Sequence, residues 1–210
     1  LVAYGGVVLK QPDRKLNSKT LNFWETNGYR GSSFIASKEV SIISLDKTIQ
    51  ANNISYNDVT QKMILADDAT VISDNRELFG DNINIQFSDS LMSSINVTGN
   101  AKAHNIIYAK INKDSIKKKK FIDIMFGNHI DVNFENDKIT DIVLDRMAST
   151  MYHAIDSTLL IGMNSVNGDL INLGFENDEL YTINVKGDAR GEFSPEPGNS
   201  RIDSTIIYKS

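Results

Sequence analysis

Residues 80–101 read GDNINIQFSDSLMSSINVTGNA, and two later segments repeat this pattern without a gap. They are GNHIDVNFENDKITDIVLDRMA at 127–148 and GDLINLGFENDELYTINVKGDA at 168–189. Each copy opens with glycine and Asp or Asn, has aliphatic residues three and five positions later, and has phenylalanine at the seventh. Such self-similarity is typical of stacked structural units.

Each copy has the pattern of a β-hairpin. In the first copy Ile83, Ile85 and Phe87 alternate with polar residues, as in a half-buried strand. The runs SDS, END and END separate two alternating stretches in each copy, which is typical of a tight turn. Because an isolated hairpin is marginally stable in water, the hairpins must share one apolar interior. The sequence therefore predicts an all-β fold built from repeated antiparallel hairpins.

The N-terminal half contains looser versions of the same design. Residues 3–9 and 16–23 form one predicted hairpin, and residues 50–56 and 63–72 form another. The opening glycines of the clear copies are 47 and 41 residues apart, which leaves room for another pair of strands between copies. Four lysines at 117–120 predict a solvated loop that joins a strand near 106–111 to one near 121–126.

Composition excludes several functional classes. The chain has 210 residues, of which 40% are hydrophobic, so it can bury a sizeable core. Its net charge of −5 disfavours a nucleic-acid partner. Cysteine is absent, which excludes disulfides, thiolate nucleophiles and cysteine metal sites. No apolar run approaches the roughly 20 residues of a membrane-spanning helix.

Candidate chemical groups are few. His104, His129 and His153 lack the spacing of a ligand pair. The acidic runs at 135–137 and 176–179 could be paired carboxylates or calcium ligands, but they recur in register at turns, which has a structural cause. We therefore expect no catalytic residue, no metal and no cofactor. The lysine run either forms a solvated loop or contacts phosphate groups.

Several segments resemble one known family. They are AYGGVVLKQ at 3–11 with LNSKTLNF at 16–23, QANNISYNDVTQKMILADDATV at 50–71, and the three glycine-initiated copies. Together they resemble the OstA-like periplasmic domain family of the LptA, LptC and LptD proteins of lipopolysaccharide transport. The similarity covers most of the chain. Gly6 departs from the family's usual asparagine, and Arg146 stands where the other two copies have glycine.

The resemblance implies a folded antiparallel β-jellyroll, or β-taco, that spans residues 1–210 as a single array. It implies a non-enzymatic periplasmic module that shields acyl chains of lipopolysaccharide, or of another acylated envelope lipid, in an apolar groove. It also implies association with other OstA-like domains through edge strands near 2–9 and 202–208. Because the chain starts at Leu1, we expect a piece of a longer protein, which could tether it to the outer membrane.

The groove-lining candidates are the inward-facing residues of the three copies. They are Ile83, Ile85, Phe87, Ile95, Val97, Ile130, Val132, Phe134, Ile142, Leu144, Ile171, Leu173, Phe175, Ile183 and Val185. In a closed core the same residues would pack only against one another, which leaves a purely structural β scaffold as one alternative. A carbohydrate-active parallel β-helix, which also has repeated strands, is the other.

Overall fold

A computed structural model describes residues 1–25, 31–89, 91–136, 138–176, 179–199 and 206–209. These residues form one open sheet of thirteen strands. The strands are β1 (Val2–Lys10), β2 (Arg14–Glu25), β3 (Ser32–Ser44), β4 (Lys47–Asn57), β5 (Lys62–Ser73), β6 (Arg76–Ser88), β7 (Leu91–Ala109), β8 (Lys119–Glu135), β9 (Lys138–Asp156), β10 (Leu159–Glu176), β11 (Glu179–Lys186), β12 (Arg190–Pro195) and β13 (Ile206–Lys209). No helix in the described part of the chain could cross a membrane.

The strands follow one another in space as they do in sequence. Each strand from β1 to β9 pairs with the next. The second half of β10 pairs with β11 and its first half pairs with β12, which in turn pairs with β13. Every strand pair is antiparallel, so the prediction of an all-β antiparallel fold is confirmed, whereas the alternative of a parallel β-helix is wrong.

The hairpins of the three copies lie where the sequence predicts them. Ser88 pairs with Leu91 and Glu135 pairs with Lys138 beside the first two turns. The pair of strands expected between the first two copies is present, but not as separate elements. β7 and β8 continue beyond their copies as strands of 19 and 17 residues, and their extensions pair from Ala101 with Gly127 to Ala109 with Lys119. Lys119 and Lys120 belong to β8 and β7 ends at Ala109, so the loop comprises residues 110–118 and lies two residues earlier than predicted.

A line of bulges crosses the sheet. Two consecutive residues with positive φ lie in the middle of each odd-numbered strand from β1 to β9, and another pair lies between β11 and β12. The pairs are Gly5–Gly6, Lys38–Glu39, Asp67–Asp68, Gly99–Asn100, Arg146–Met147 and Gly187–Asp188. The five pairs that lie within strands each break the register with the neighbouring strand. Because a bulge bends its strand, the aligned bulges fold the sheet along one line.

Folding brings the two halves of the sheet around one core. In β7 the large residues Ile95 and Val97 lie before the bulge, and the small residues Ala101 and Ala103 lie after it. All four belong to one cluster that extends from Leu16 to Leu173. Close packing also explains the opening glycine of the repeats, because a Cβ atom at Gly80 would lie 2.5 Å from a methyl group of Val97. The same holds at Gly168 with Val185.

Candidate functional site

A cleft with a volume of about 280 Å³ opens at the N-terminal end of the folded sheet. We call it the seam cleft, because it lies between the two rows of hairpin turns where the halves of the sheet meet. One wall lies near the turns at 57–62 and 88–91, and the other near the turns at 10–14 and 44–47. Its lining residues are Leu9, Gln11, Arg14, Leu16, Phe23, Ser32, Phe34, Ile42, Tyr56, Met63 and Phe87.

Aromatic rings form the first wall of the seam cleft. The ring centroids of Phe34 and Tyr56 are 6.1 Å apart, and those of Tyr56 and Phe87 are 6.2 Å apart. The rings lie on β3, β4 and β6, so they form a row across the strands. Phe34 is paired with Tyr56, which is paired in turn with Met63 on β5. This row gives an apolar surface suited to hydrocarbon.

The second wall is aliphatic and has a polar rim. Leu9, Leu16 and Ile42 supply the apolar side chains, and Gln11 and Arg14 stand among them as polar groups. The Arg14 side chain is 54% exposed. A guanidinium group beside an apolar cleft can bind an anionic headgroup while the attached chain enters the cleft.

Arg14 is already oriented by its neighbour. Its Nη2 atom lies 2.7 Å from Oδ2 of Asp13, and its Nε donates to the same carboxylate. This hydrogen bond lowers the pKa of Asp13 and raises that of Arg14. The carboxylate balances part of the cationic charge, so an incoming anion would compete with Asp13 for the guanidinium group.

Tyr56 places a hydroxyl group at the same cleft. Burial, followed by the negative charge of Asp58, raises the pKa of Tyr56 above its ordinary value of 10. The phenol is therefore neutral at physiological pH and keeps its proton as a hydrogen-bond donor. The cleft thus combines mostly apolar walls with a few polar groups, as binding pockets for small molecules do.

The fifteen predicted groove residues lie on the inner face, but only Phe87 lines the seam cleft. Phe87, Phe134, Phe175, Ile183 and Val185 are half-buried and pack against the core. The other ten, each at most 7% exposed, are fully within the core: Ile83, Ile85, Ile95, Val97, Ile130, Val132, Ile142, Leu144, Ile171 and Leu173. These residues could contact a ligand only if the halves of the sheet separated.

Sequence reasoning missed most of the seam cleft because its residues lie in the looser N-terminal hairpins. Ser18 and Ala51 lie opposite a bulge of the adjacent strand, at the position that Gly80 has in the first clear copy. Counted from them, the aromatic residues Phe23 and Tyr56 fall at the fifth position rather than the seventh. The aromatic residue of the repeat is therefore present in these hairpins, but it lies two residues earlier, at the preceding inward-facing position.

Two of the three histidines, His104 and His153, form local polar pairs. Nδ1 of His153 lies 2.9 Å from Oδ1 of Asp123, which also accepts a hydrogen bond from the His153 backbone N–H. Nδ1 of His104 lies 2.9 Å from Oε2 of Glu77. Within the described ranges, no three side chains of His, Asp or Glu cluster as metal ligands would. These pairs join neighbouring strands and compensate for the burial of their polar groups.

The fold and the cleft define a class of protein: an open antiparallel sheet, folded along a line of bulges, with an apolar seam. No protein-family model and no curated protein matches the chain. A solved structure that is similar is LptH of Pseudomonas aeruginosa, described as the LptA-homologous periplasmic component of the lipopolysaccharide transport device. The alignment covers 78% of this chain and 93% of that chain, with 13% sequence identity and a TM-score of 0.47.

Proposed function

We propose that this chain is a non-enzymatic periplasmic module that shelters acyl chains of lipopolysaccharide, or of a similar envelope lipid, along the seam of its folded sheet. The observation that carries the proposal is the seam cleft, whose walls are aromatic and aliphatic and which opens beside Arg14. The resemblance of the repeats to the OstA-like family supports the same function.

The mechanism is shielding from water. Each methylene group that leaves water for an apolar surface contributes about 0.8 kcal/mol. The cleft, at about 280 Å³, is near the lower limit of ligand pockets, so it accommodates part of one acyl chain. Longer chains require the halves of the sheet to separate further along the seam, where Phe134 and Phe175 are half-buried. Such a module needs no covalent chemistry.

Photo-crosslinking tests the proposal directly. A photoreactive amino acid at Phe87 faces the cleft, whereas one at Asn82 lies on the same strand and is exposed. With purified lipopolysaccharide, we expect capture at Phe87 and not at Asn82. Equal capture at both positions would indicate nonspecific adsorption. Absence of capture at Phe87 would leave the purely structural scaffold as the better interpretation.

We also propose association with further β domains through free edges. β1 pairs only with β2, and β11 and β13 each pair with a single strand, so the described sheet is open at both ends. The second end differs from the sequence prediction, because it consists of β11 on one half and β13 on the other. Residues 202–205 lie outside the described residues. Unpaired backbone groups on such edges favour addition of another strand.

A further inference from the structure

The connection between β7 and β8, together with the first two residues of β8, concentrates positive charge on an acidic molecule. Residues 110–120 contain six lysines and one aspartate, a net charge of +5. The remaining 199 residues have a net charge of −10, because 16 basic residues stand against 26 acidic ones. The lysines at 117–120 are exposed, and none of the six forms an ion pair with a described residue. This segment therefore attracts anions locally.

Exposed apolar side chains accompany the lysines. Ile116, which directly precedes the run, is 94% exposed. Tyr108 is 50% exposed and Ile122 is 36% exposed. Because Tyr108 is paired with Lys120 on the adjacent strand, the two side chains share one face of the sheet. Exposed isoleucine and tyrosine do not stabilise a loop that contacts only water. These residue types are suited to the boundary between water and lipid.

The base of the connection is fixed to the rest of the sheet. The Lys110 N–H donates to the carbonyl of Thr158 (2.8 Å), and the Leu160 N–H donates to the carbonyl of Lys110 (2.9 Å). The Asn199 side chain donates to the carbonyls of Ile111 and Leu160. Asp156 ends β9 and Glu196 directly follows β12, and the segment with these two carboxylates still has a net charge of +3. The lysine-rich loop therefore starts from a base that is hydrogen-bonded to the sheet.

We propose that residues 110–120, together with Tyr108 and Ile122, form a basic patch that docks onto an anionic phospholipid bilayer. The lysines bind lipid phosphates, and Ile116 enters the apolar boundary of the bilayer. Free phosphate would occupy the lysines but would leave Ile116 in water. The combination of cationic and apolar side chains therefore favours a bilayer surface. The proposal is independent of the seam cleft, which lies at the N-terminal end of the sheet.

Vesicle flotation tests this surface. We expect the chain to float with phosphatidylcholine vesicles that contain phosphatidylglycerol, to remain unbound with phosphatidylcholine alone, and to dissociate as salt is added. The double variant Lys117→Glu/Lys118→Glu should weaken binding by about tenfold or more, since both charges are reversed at the contact. The matched control Lys138→Glu/Lys186→Glu changes net charge equally at exposed positions outside the patch and should weaken binding much less.

A third variant separates a bilayer from free phosphate. Ile116→Ser leaves every lysine in place and should still reduce flotation severalfold, because it removes the inserted side chain. Inorganic phosphate should release the protein no better than chloride at equal ionic strength. Equal weakening by both double variants would overturn the proposal, as would absence of flotation with anionic vesicles. Unchanged binding of Ile116→Ser together with preferential release by phosphate would instead indicate an anion site.

Discussion

At the level of single residues, the alternation of side chains along each repeat decides which of them are buried. Ile85, Val132 and Leu173 occupy the fifth position after the opening glycine in their copies, and each is at most 3% exposed. The neighbouring Asn84 and Asn172 are only partly buried. Period-two alternation therefore identified the inner face correctly, because successive side chains of a strand point to opposite faces.

This alternation of buried and exposed positions predicts the effect of aspartate substitutions. Ile85→Asp, Val132→Asp or Leu173→Asp should each lower the free energy of unfolding by several kcal/mol, because an unpaired carboxylate would enter the core. Asn172→Ser should change it by less than about 0.5 kcal/mol. Urea denaturation measures both effects. Equal sensitivity at the two kinds of position would show that the inner face is assigned wrongly.

The structure also changes one expectation at this scale. Asp131 faces away from the core, and the sequence alone suggests that serine would be tolerated there. However, its Oδ1 accepts a hydrogen bond of 2.5 Å from Nδ2 of Asn96 on the adjacent strand. Asp131→Ser would lose this bond to a charged acceptor, so it is a poorer control than Asn172→Ser.

At the element scale, the line of bulges determines how the strands bend. Gly99 has a φ of +70°, and a Cβ atom there would collide with the Asp81 carboxylate on the neighbouring strand. Arg146 occupies the equivalent position of the next copy with a φ of 58°. One position therefore contains glycine in two copies and arginine in the third, so the sequence departure at Arg146 places a Cβ atom on a left-handed backbone.

Opposite substitutions at the two positions should have opposite effects on stability. Gly99→Ala should destabilise the fold by about 1–2 kcal/mol through the left-handed backbone and the collision with Asp81. Arg146→Gly should stabilise it by up to about 1 kcal/mol, because glycine adopts positive φ without a Cβ penalty. Thermal unfolding of both variants beside the parent chain gives the comparison. Shifts in the same direction would contradict the structural equivalence of the two bulges.

At the scale of the whole molecule, the open edges determine how copies associate. The Gln11 N–H donates to the carbonyl of Arg14 at the first turn. Since bonded pairs alternate along an antiparallel ladder, Leu9 and Val7 bond to β2, and the N–H of Val8 points toward the free edge. Val8→Pro therefore removes an edge donor without removing a ladder bond.

We expect Val8→Pro to reduce end-to-end association while the chain stays folded. Light scattering over a concentration series measures association, and circular dichroism monitors the sheet. Val7→Pro is the matched comparison, because it deletes a bond to β2 and should lower stability as well. A chain that remains monomeric at high concentration, with or without Val8→Pro, would count against edge-to-edge bridging.

The sequence predicted more of the fold than of the seam cleft. Apolar alternation and turn residues are local signals, so they indicated the hairpins and the inner faces of β6 to β10. The seam cleft depends on which strand ends approach after the sheet folds, and no local pattern reports that distance. Arg14 and Phe34 are far apart in sequence from Phe87, yet all three line the same cleft.

Alternating side chains and turn residues act over a few positions, so the amino-acid sequence alone is enough to predict an all-β array of antiparallel hairpins. The place where that array bends, and the place where its seam stays open, depend on contacts between distant strands. The bend arises from bulges aligned across six strand positions, three of which contain no glycine: Lys38–Glu39, Asp67–Asp68 and Arg146–Met147. Such positive-φ pairs are stabilised by the packing of the two halves around one core, which is a property of the whole sheet.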